Sequence, residues 1–197
     1  MIQVINMFSD LVKATRSFRN FDPTYHLSDE VMQRLIELCR YTPSTANTQS
    51  IKFAYACSES ACEKIFPMIG WAGYLKENKP PYDGNVPTGY ILVCFDTDIA
   101  PEIEIDAGIC AQTIVLGAMD MGIGACMIGS FDKQKAAELF NLPSNIKPRL
   151  MIALGRPKET VEIVDIKDGD VKYYRVGKYK HIVPKRTVTE LMLPKLK

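Results

Sequence analysis

The sequence is poor in the residues that build metal and thiol sites. It has two histidines, His26 and His181, far apart along the chain, and its six cysteines include no C-x-x-C pair. Structural zinc sites and thioredoxin-like redox motifs both want such close pairs, so neither is expected. Charge of one sign is lacking too. The 197 residues carry 24 Lys+Arg against 23 Asp+Glu, a formal +1. A general nucleic-acid binder would hold a large positive excess. Long hydrophobic runs are missing: the uncharged apolar stretch 107–119 falls short of the ~20 residues a bilayer span requires. The opening MIQVINMFSD has neither the basic start nor the apolar run of a signal peptide. Internal repeats and low-complexity segments are absent as well. Together these absences point to a reduced, cytoplasmic, soluble protein with buried free thiols and with neither a membrane nor a nucleic-acid partner.

What is present is ordinary globular chemistry. Hydrophobic residues make up 47% and charged residues 24%, which excludes intrinsic disorder. One domain spanning 1–197 is expected. Helical spacing of Val4, Ile5, Phe8, Leu11 and Val12 predicts a helix over 4–15. Ser28 reads as the N-cap of a second helix, with Asp29 and Glu30 in its first turn and its end near Arg40. Strands are predicted at 53–57, 90–95 and 150–155, the last two as continuous apolar runs of the buried kind. Shorter helices are predicted at 58–66, 71–76 and 132–140, the last capped by Asp132. Residues 78–89, with three prolines and two glycines, read as a mobile loop. The helix predicted over 102–121 is apolar nearly all round, so it must be buried on every side, in the core or at a subunit interface. From Arg156 onward the chain is polar and mixed. Strands do not alternate strictly with helices, which indicates α+β rather than doubly wound α/β.

Four segments could carry chemistry. Arg16-Ser17-Phe18-Arg19 places two guanidinium groups and a hydroxyl where they could chelate a phosphate. Pro43-Ser44-Thr45-Ala46-Asn47-Thr48-Gln49 packs hydroxyls and amides into a turn-former cluster that could rim a polyol or a heterocycle edge. Gly122 to Ser130 contains no G-x-G-x-x-G and follows a helix, which disfavours a Rossmann dinucleotide site. It reads either as a helix C-cap at Gly122 with a tight connection, or as bare backbone approaching a flat ligand. Lys185-Arg186 offers two more cations. Singly, each segment also reads as an ordinary loop or tail. Trp71 and Tyr74 could wall a substrate pocket or belong to the core, and the apolar neighbours of Cys126 mark it as an inert buried thiol.

In this order and at these separations, the segments resemble the FMN-dependent nitroreductase family over about residues 7–193. That family has an R-x-S-x-R-like segment, a P-S-x-x-N-x-Q loop, a long buried helix and a G-[IL]-G-x-C-x-I-like segment. A strand ending in Gly-x-Pro follows, here Leu154-Gly155-Arg156-Pro157, then a P-K-R-like motif. The resemblance implies a nitroreductase-like α+β fold with a central, mostly antiparallel sheet flanked by helices and the long buried helix at a homodimer interface. Residues 156–197 would be a C-terminal extension packing on the partner subunit. FMN is the implied cofactor. Arg16, Ser17 and Arg19 would meet its phosphate, ribityl and pyrimidine parts, with Lys185 and Arg186 as a second cation pair on the phosphate. Pro43, Ser44, Thr45 and Asn47, with Gln49 nearby, would cover the flavin from the partner. Met127, Ile128, Gly129 and Ser130 would run along the isoalloxazine.

The implied activity is a ping-pong oxidoreductase reaction. NADH or NADPH passes hydride to flavin N5, and an electron-poor small-molecule acceptor, nitroaromatic or quinone-like, then takes the electrons. No protein nucleophile or metal is required. The alternative on the same fold is a flavin-binding sensor or storage protein, or a specialised flavin enzyme with little nitroreductase turnover. Two positions depart from the family pattern: Thr15 precedes Arg16 where many members have a basic residue, and Ser50-Ile51-Lys52 follows Gln49 where many have Pro-Trp.

Overall fold

The computed structural model describes residues 7–196 apart from Lys76 and Asn78. Its organising element is an antiparallel sheet in which β1 (Ile51–Ala56), β2 (Gly89–Asp96), β3 (Gly124–Ile128) and β4 (Ile146–Gly155) lie in the order β1-β2-β4-β3. β2 is buried along its whole length, because side chains alternate between two covered faces. Ile91, Val93 and Phe95 of β2, with Ile152 and Leu154 of β4, pack on α2 (Asp29–Leu38) and α4 (Glu104–Asp120). Tyr90, Leu92 and Cys94, with Met151 and Ala153, face the other way onto α3 (Glu59–Ile65) and α5 (Lys133–Leu139). The continuous apolar runs seen in the sequence are therefore central strands covered on both sides.

The helix ends follow local chemistry. Ser28 accepts the N–H of Val31, and Asp132 accepts that of Lys135, as their cap positions predict. α4 ends where Gly122 turns to φ 72°, with Ile123 N–H donating to Ala118 and Gly122 N–H to Met119. That is the Schellman closure glycine favours, since a Cβ resists positive φ.

Three expectations are corrected, and one falls partly outside the described residues. The first helix is described as α1 (Met7–Ala14), and residues 4–6 of its predicted span lie outside the described residues. The helix expected at 71–76 is irregular through 75, with a single turn at 73–74 and Ala72 at φ 47°; Lys76 lies outside the described residues. The segment after Gly122 is not a bare connection but strand β3, fixed by pairing with β4 that no local signal announces. The polar C-terminal part folds into a second sheet, β5 (Thr160–Asp165), β6 (Tyr174–Val176) and β7 (Lys180–Lys185), in the order β5-β7-β6. A short α6 (Val188–Leu191) follows, closed by a Thr187–Glu190 capping box.

Within one protomer α4 is covered on one side only. Ala107, Ala111, Ile114, Val115 and Ala118 face the core, but Ile105 is 71% exposed. Ile109, Leu116 and Met119 are half-buried along the same side, so the protomer leaves an apolar stripe uncovered. Among the described residues no helix is long and apolar enough to cross a membrane.

The first strand residue of β3 is a glycine for reasons of space. A Cβ on Gly124 would lie 2.6 Å from Pro157 Cγ and 2.8 Å from the Phe18 ring. Gly124→Ala is expected to destabilise the fold by about 1–3 kcal/mol through overpacking, read from the urea midpoint at unchanged m-value.

Candidate functional site

The segment after α1 is laid onto the edge of β3. Ser17 pairs with Ala125 in a short parallel bridge, and Phe18 N–H donates to the Ala125 carbonyl at 3.0 Å. The Phe18 side chain is buried and anchors the segment. Phe21 continues the attachment by bridging to Pro157 just past β4. A cleft of about 410 Å³ results, within the ~300–1,000 Å³ usual for ligand pockets. It brings together Arg16, Ser17, Arg19, Met127 and Lys185, which come from both ends of the chain and from β3.

The cleft is electropositive by construction, with three cations and no carboxylate among its lining residues. Arg16 Nη2 donates to the Val12 carbonyl at 2.7 Å, while its Nε is buried with no protein partner. Burial pulls the Arg16 pKa below its ordinary value, yet a guanidinium stays charged at neutral pH. Thr15 Oγ1 donates to the Leu11 carbonyl at 2.7 Å, so this departure from the family pattern closes α1.

Arg19 sits among residues that sequence reasoning passed over. Its Nη1 lies 3.1 Å from His181 Nε2 and 3.3 Å from the Ser17 carbonyl, and its guanidinium stands 4.9 Å from the Tyr173 ring centre. His181 is 1% exposed. Burial, then the charges of Arg19 and Arg175, push its pKa down to about 4, so it is neutral at physiological pH. Beneath it lies a buried ion pair, Glu159 Oε2 to Arg175 Nη1 at 2.6 Å. Glu159 also accepts from the backbone N–H of Arg19 and Asn20 and from Asn20 Nδ2. Val161, His181 and Val183 line the cleft from the second sheet, and Tyr173 from just before β6. For the strand carrying Val161, the apolar-polar-apolar step Val161-Glu162-Ile163 is a local signal that could have found it. Its partner strand lies twenty residues on, with Val161 opposite His181.

The Pro43–Gln49 loop lies elsewhere. Ser44, Asn47 and Gln49 line a separate cleft of about 360 Å³ that shares no residue with the first. The loop is gripped by Asp106, which accepts from Thr45 N–H at 2.9 and 3.1 Å and from Thr45 Oγ1 at 2.8 Å. Its backbone folds back through positive φ at Ala46, Asn47 and Gln49, with Gln49 N–H donating to Ser44 Oγ. Pro43 is exposed beside it. The Ser50 to Lys52 departure leads into β1, with Ser50 buried.

The remaining expected residues scatter. Ile128 faces the second core cluster, and Gly129 and Ser130 are exposed past the end of β3. Arg186 lies outside the cleft lining and reaches Glu190 at 3.4 Å. Trp71 packs with Phe66 against the second cluster, at 5.9 Å between ring centres. Tyr74 is 53% exposed and stacks on Tyr173 at 5.0 Å, at the border of the cationic cleft. Cys126 is buried, and its thiol pKa is raised by desolvation.

Comparison with known proteins gives a consistent result. The family model described as "Nitroreductase family" matches residues 12–156. YdgI of Bacillus subtilis, named as an NAD(P)H nitroreductase, is 27% identical over 188 residues, covering 77% of this chain and 88% of that protein. A Staphylococcus aureus NADPH-dependent oxidoreductase is 28% identical over 177 residues, covering 76% of this chain and 64% of its own length. A solved nitroreductase from Exiguobacterium sibiricum in complex with FMN superposes with a TM-score of 0.63 at 20% identity, covering 81% of this chain and 92% of its own; at that identity it shows the fold.

The buried imidazole makes stability depend on pH. Between about pH 6.5 and 4 the unfolded chain binds a proton that the folded His181 site refuses, so stability falls as pH drops through that window. The contribution is on the order of 3 kcal/mol. His181→Gln is expected to remove that part of the slope, seen as a shallower loss of urea midpoint than wild type between pH 6.5 and 4.

Proposed function

The chain belongs to the nitroreductase family, and from that premise we propose that it is an FMN-dependent NAD(P)H oxidoreductase. The observation that carries this reading is the cleft holding Arg16, Arg19 and Lys185 with no carboxylate among its lining residues. Such a cleft asks for an anion. The buried, unpartnered Arg16 Nε supplies a donor that a phosphate oxygen would satisfy. The fit therefore favours a flavin mononucleotide.

Each residue then has a physical task. Arg16 and Lys185 hold the phosphate by charge-assisted hydrogen bonds, with the Ser17 hydroxyl as a further donor. Arg19 would place a positive charge near the ring edge that becomes electron-rich on reduction. Met127 and Val115 would give apolar walls, and Gly129 and Ser130, exposed past the end of β3, would offer backbone N–H groups. FMN, when bound, supplies two-electron chemistry between NADH or NADPH and an electron-poor acceptor of the nitroaromatic or quinone class, in ping-pong alternation.

The same reading makes the protein a homodimer. The two groups of residues line separate clefts of one protomer, so on this reading the loop from Pro43 to Gln49 would complete the cationic cleft of the partner. The uncovered stripe of α4 gives the contact its apolar centre. Residues 156–185 pack on their own protomer, where Lys158 N–H donates to the Asn20 carbonyl and Lys178 pairs with Asp83. Beyond them, Val188, Leu191, Met192, Leu193 and Leu196 are 67–94% exposed. The tail carrying them, rather than the whole extension, is the part that would pack on the partner. Six free cysteines fit a reducing, cytoplasmic setting.

Purified protein should be yellow, bleach with NADPH and recover its colour with a nitroaromatic or a quinone. Protein that stays colourless after incubation with excess FMN would overturn the reading. Arg16→Ala combined with Lys185→Ala should weaken FMN binding by about 3–6 kcal/mol, from about 1.5–3 per charged hydrogen bond. Unchanged affinity in a titration would place the phosphate elsewhere. Ile105→Asp should convert a dimer to a monomer in light scattering and lose FMN with it.

A further inference from the structure

Arg19 is a cation whose nearest carboxylate is already committed. Glu159 is fully buried and accepts the backbone N–H of Arg19, yet its oxygens serve Arg175, Asn20 Nδ2 and two main-chain donors. The Arg19 guanidinium is held instead by two uncharged acceptors, the Ser17 carbonyl and His181 Nε2, beneath the Tyr173 ring. A neutral acceptor fixes a guanidinium in place without cancelling its charge.

The imidazole is not there for packing. Arg19 can only donate, so Nε2 must accept, and the ring proton sits on Nδ1. That Nδ1 is buried with no partner. A leucine of similar size would carry no such orphan, since an unmet buried donor is unfavourable. Among the described residues, the polar bond that offsets it is the bond to Arg19. Arg19, Arg175 and Glu159 are the charged groups that act on the ring, and Tyr173 stacks on it at 5.0 Å. Burial and the two guanidinium groups keep it unprotonated, so it does not repel Arg19. His181, Tyr173, Arg175 and Glu159 all lie beyond residue 156, where the family match ends. Arg175 and His181 lie on strands of the second sheet, with Glu159 and Tyr173 directly before two of them.

We infer that His181 is a positioning residue that holds the Arg19 guanidinium toward the cleft with its charge uncompensated, and thereby sets how strongly the cleft prefers the reduced flavin over the oxidised one. This rests on the FMN reading above. Reduction makes one ring edge electron-rich, and a fixed cation at that edge favours the reduced form. A carboxylate in place of His181 would cancel the charge, and an aliphatic side chain would release the guanidinium to other rotamers.

The test is the FMN dissociation constant and the bound-flavin reduction potential, by dye equilibration, for wild type and three variants. His181→Gln keeps an acceptor and should stay within about twofold of wild type in the ratio of reduced to oxidised affinity. His181→Leu should lower that ratio about tenfold, which is a potential about 30 mV more negative for a two-electron couple. His181→Glu should lower it further, and its comparison with the near-isosteric Gln variant decides the matter if the Leu variant does not fold. Potentials equal in all variants, or shifted equally by Gln and by the charge-changing Glu, would overturn the inference while leaving FMN binding intact. Wild-type protein that binds no FMN would instead overturn the functional reading and this inference with it.

Discussion

Glu159 joins the two ends of the chain. Its carboxylate, with no solvent exposure, takes a guanidinium from the second sheet and two backbone N–H groups and an amide from the Arg19-Asn20 segment. A buried carboxylate is tolerated only when its lone pairs are met in this way, and removing one partner from such a pair is strongly unfavourable, by about 3–5 kcal/mol. The contact therefore specifies where the C-terminal sheet sits, more than it adds stability. Because the sheet sits there, Lys185 and His181 face Arg16 and Arg19, and the electropositive cleft exists.

α4 is the second constraint. One side completes the core beneath β2 and β4. Asp106 grips the Pro43–Gln49 loop near the helix start, while Gln112 and Val115 line the cationic cleft further along. A single helix thus borders two clefts that share no residue within one protomer. Its uncovered apolar stripe lies between them, so one association can both cover the stripe and close the cleft. The same helix therefore serves the core, the polar loop and the cationic cleft.

Legibility in the sequence varied with the range of the interaction. Ser28 and Asp132 cap helices because a hydroxyl or carboxylate meets an N–H three residues away. The apolar runs of β2 and β4 were readable because burial on both faces leaves no polar position. Arg16, Ser17, Arg19 and Lys185 were singled out from motif order, and they share one cleft. Arg186, from the same motif, does not: β7 ends at Lys185, and the next side chain turns to Glu190 instead.

By itself the sequence determined the local pieces: capped helices, central strands and an ordered set of cationic and polar segments that resemble one flavoprotein family. Only the tertiary structure decided that β3 is a strand, that Tyr173 and His181 join Arg19, and that the polar loop occupies a cleft of its own. The reason is the distance over which each choice is made. A cap or an apolar run is settled within a few residues. The pairing of Val161 with His181, or of Glu159 with the backbone of Arg19, compares groups twenty to a hundred and forty positions apart, and only the packed chain can compare them.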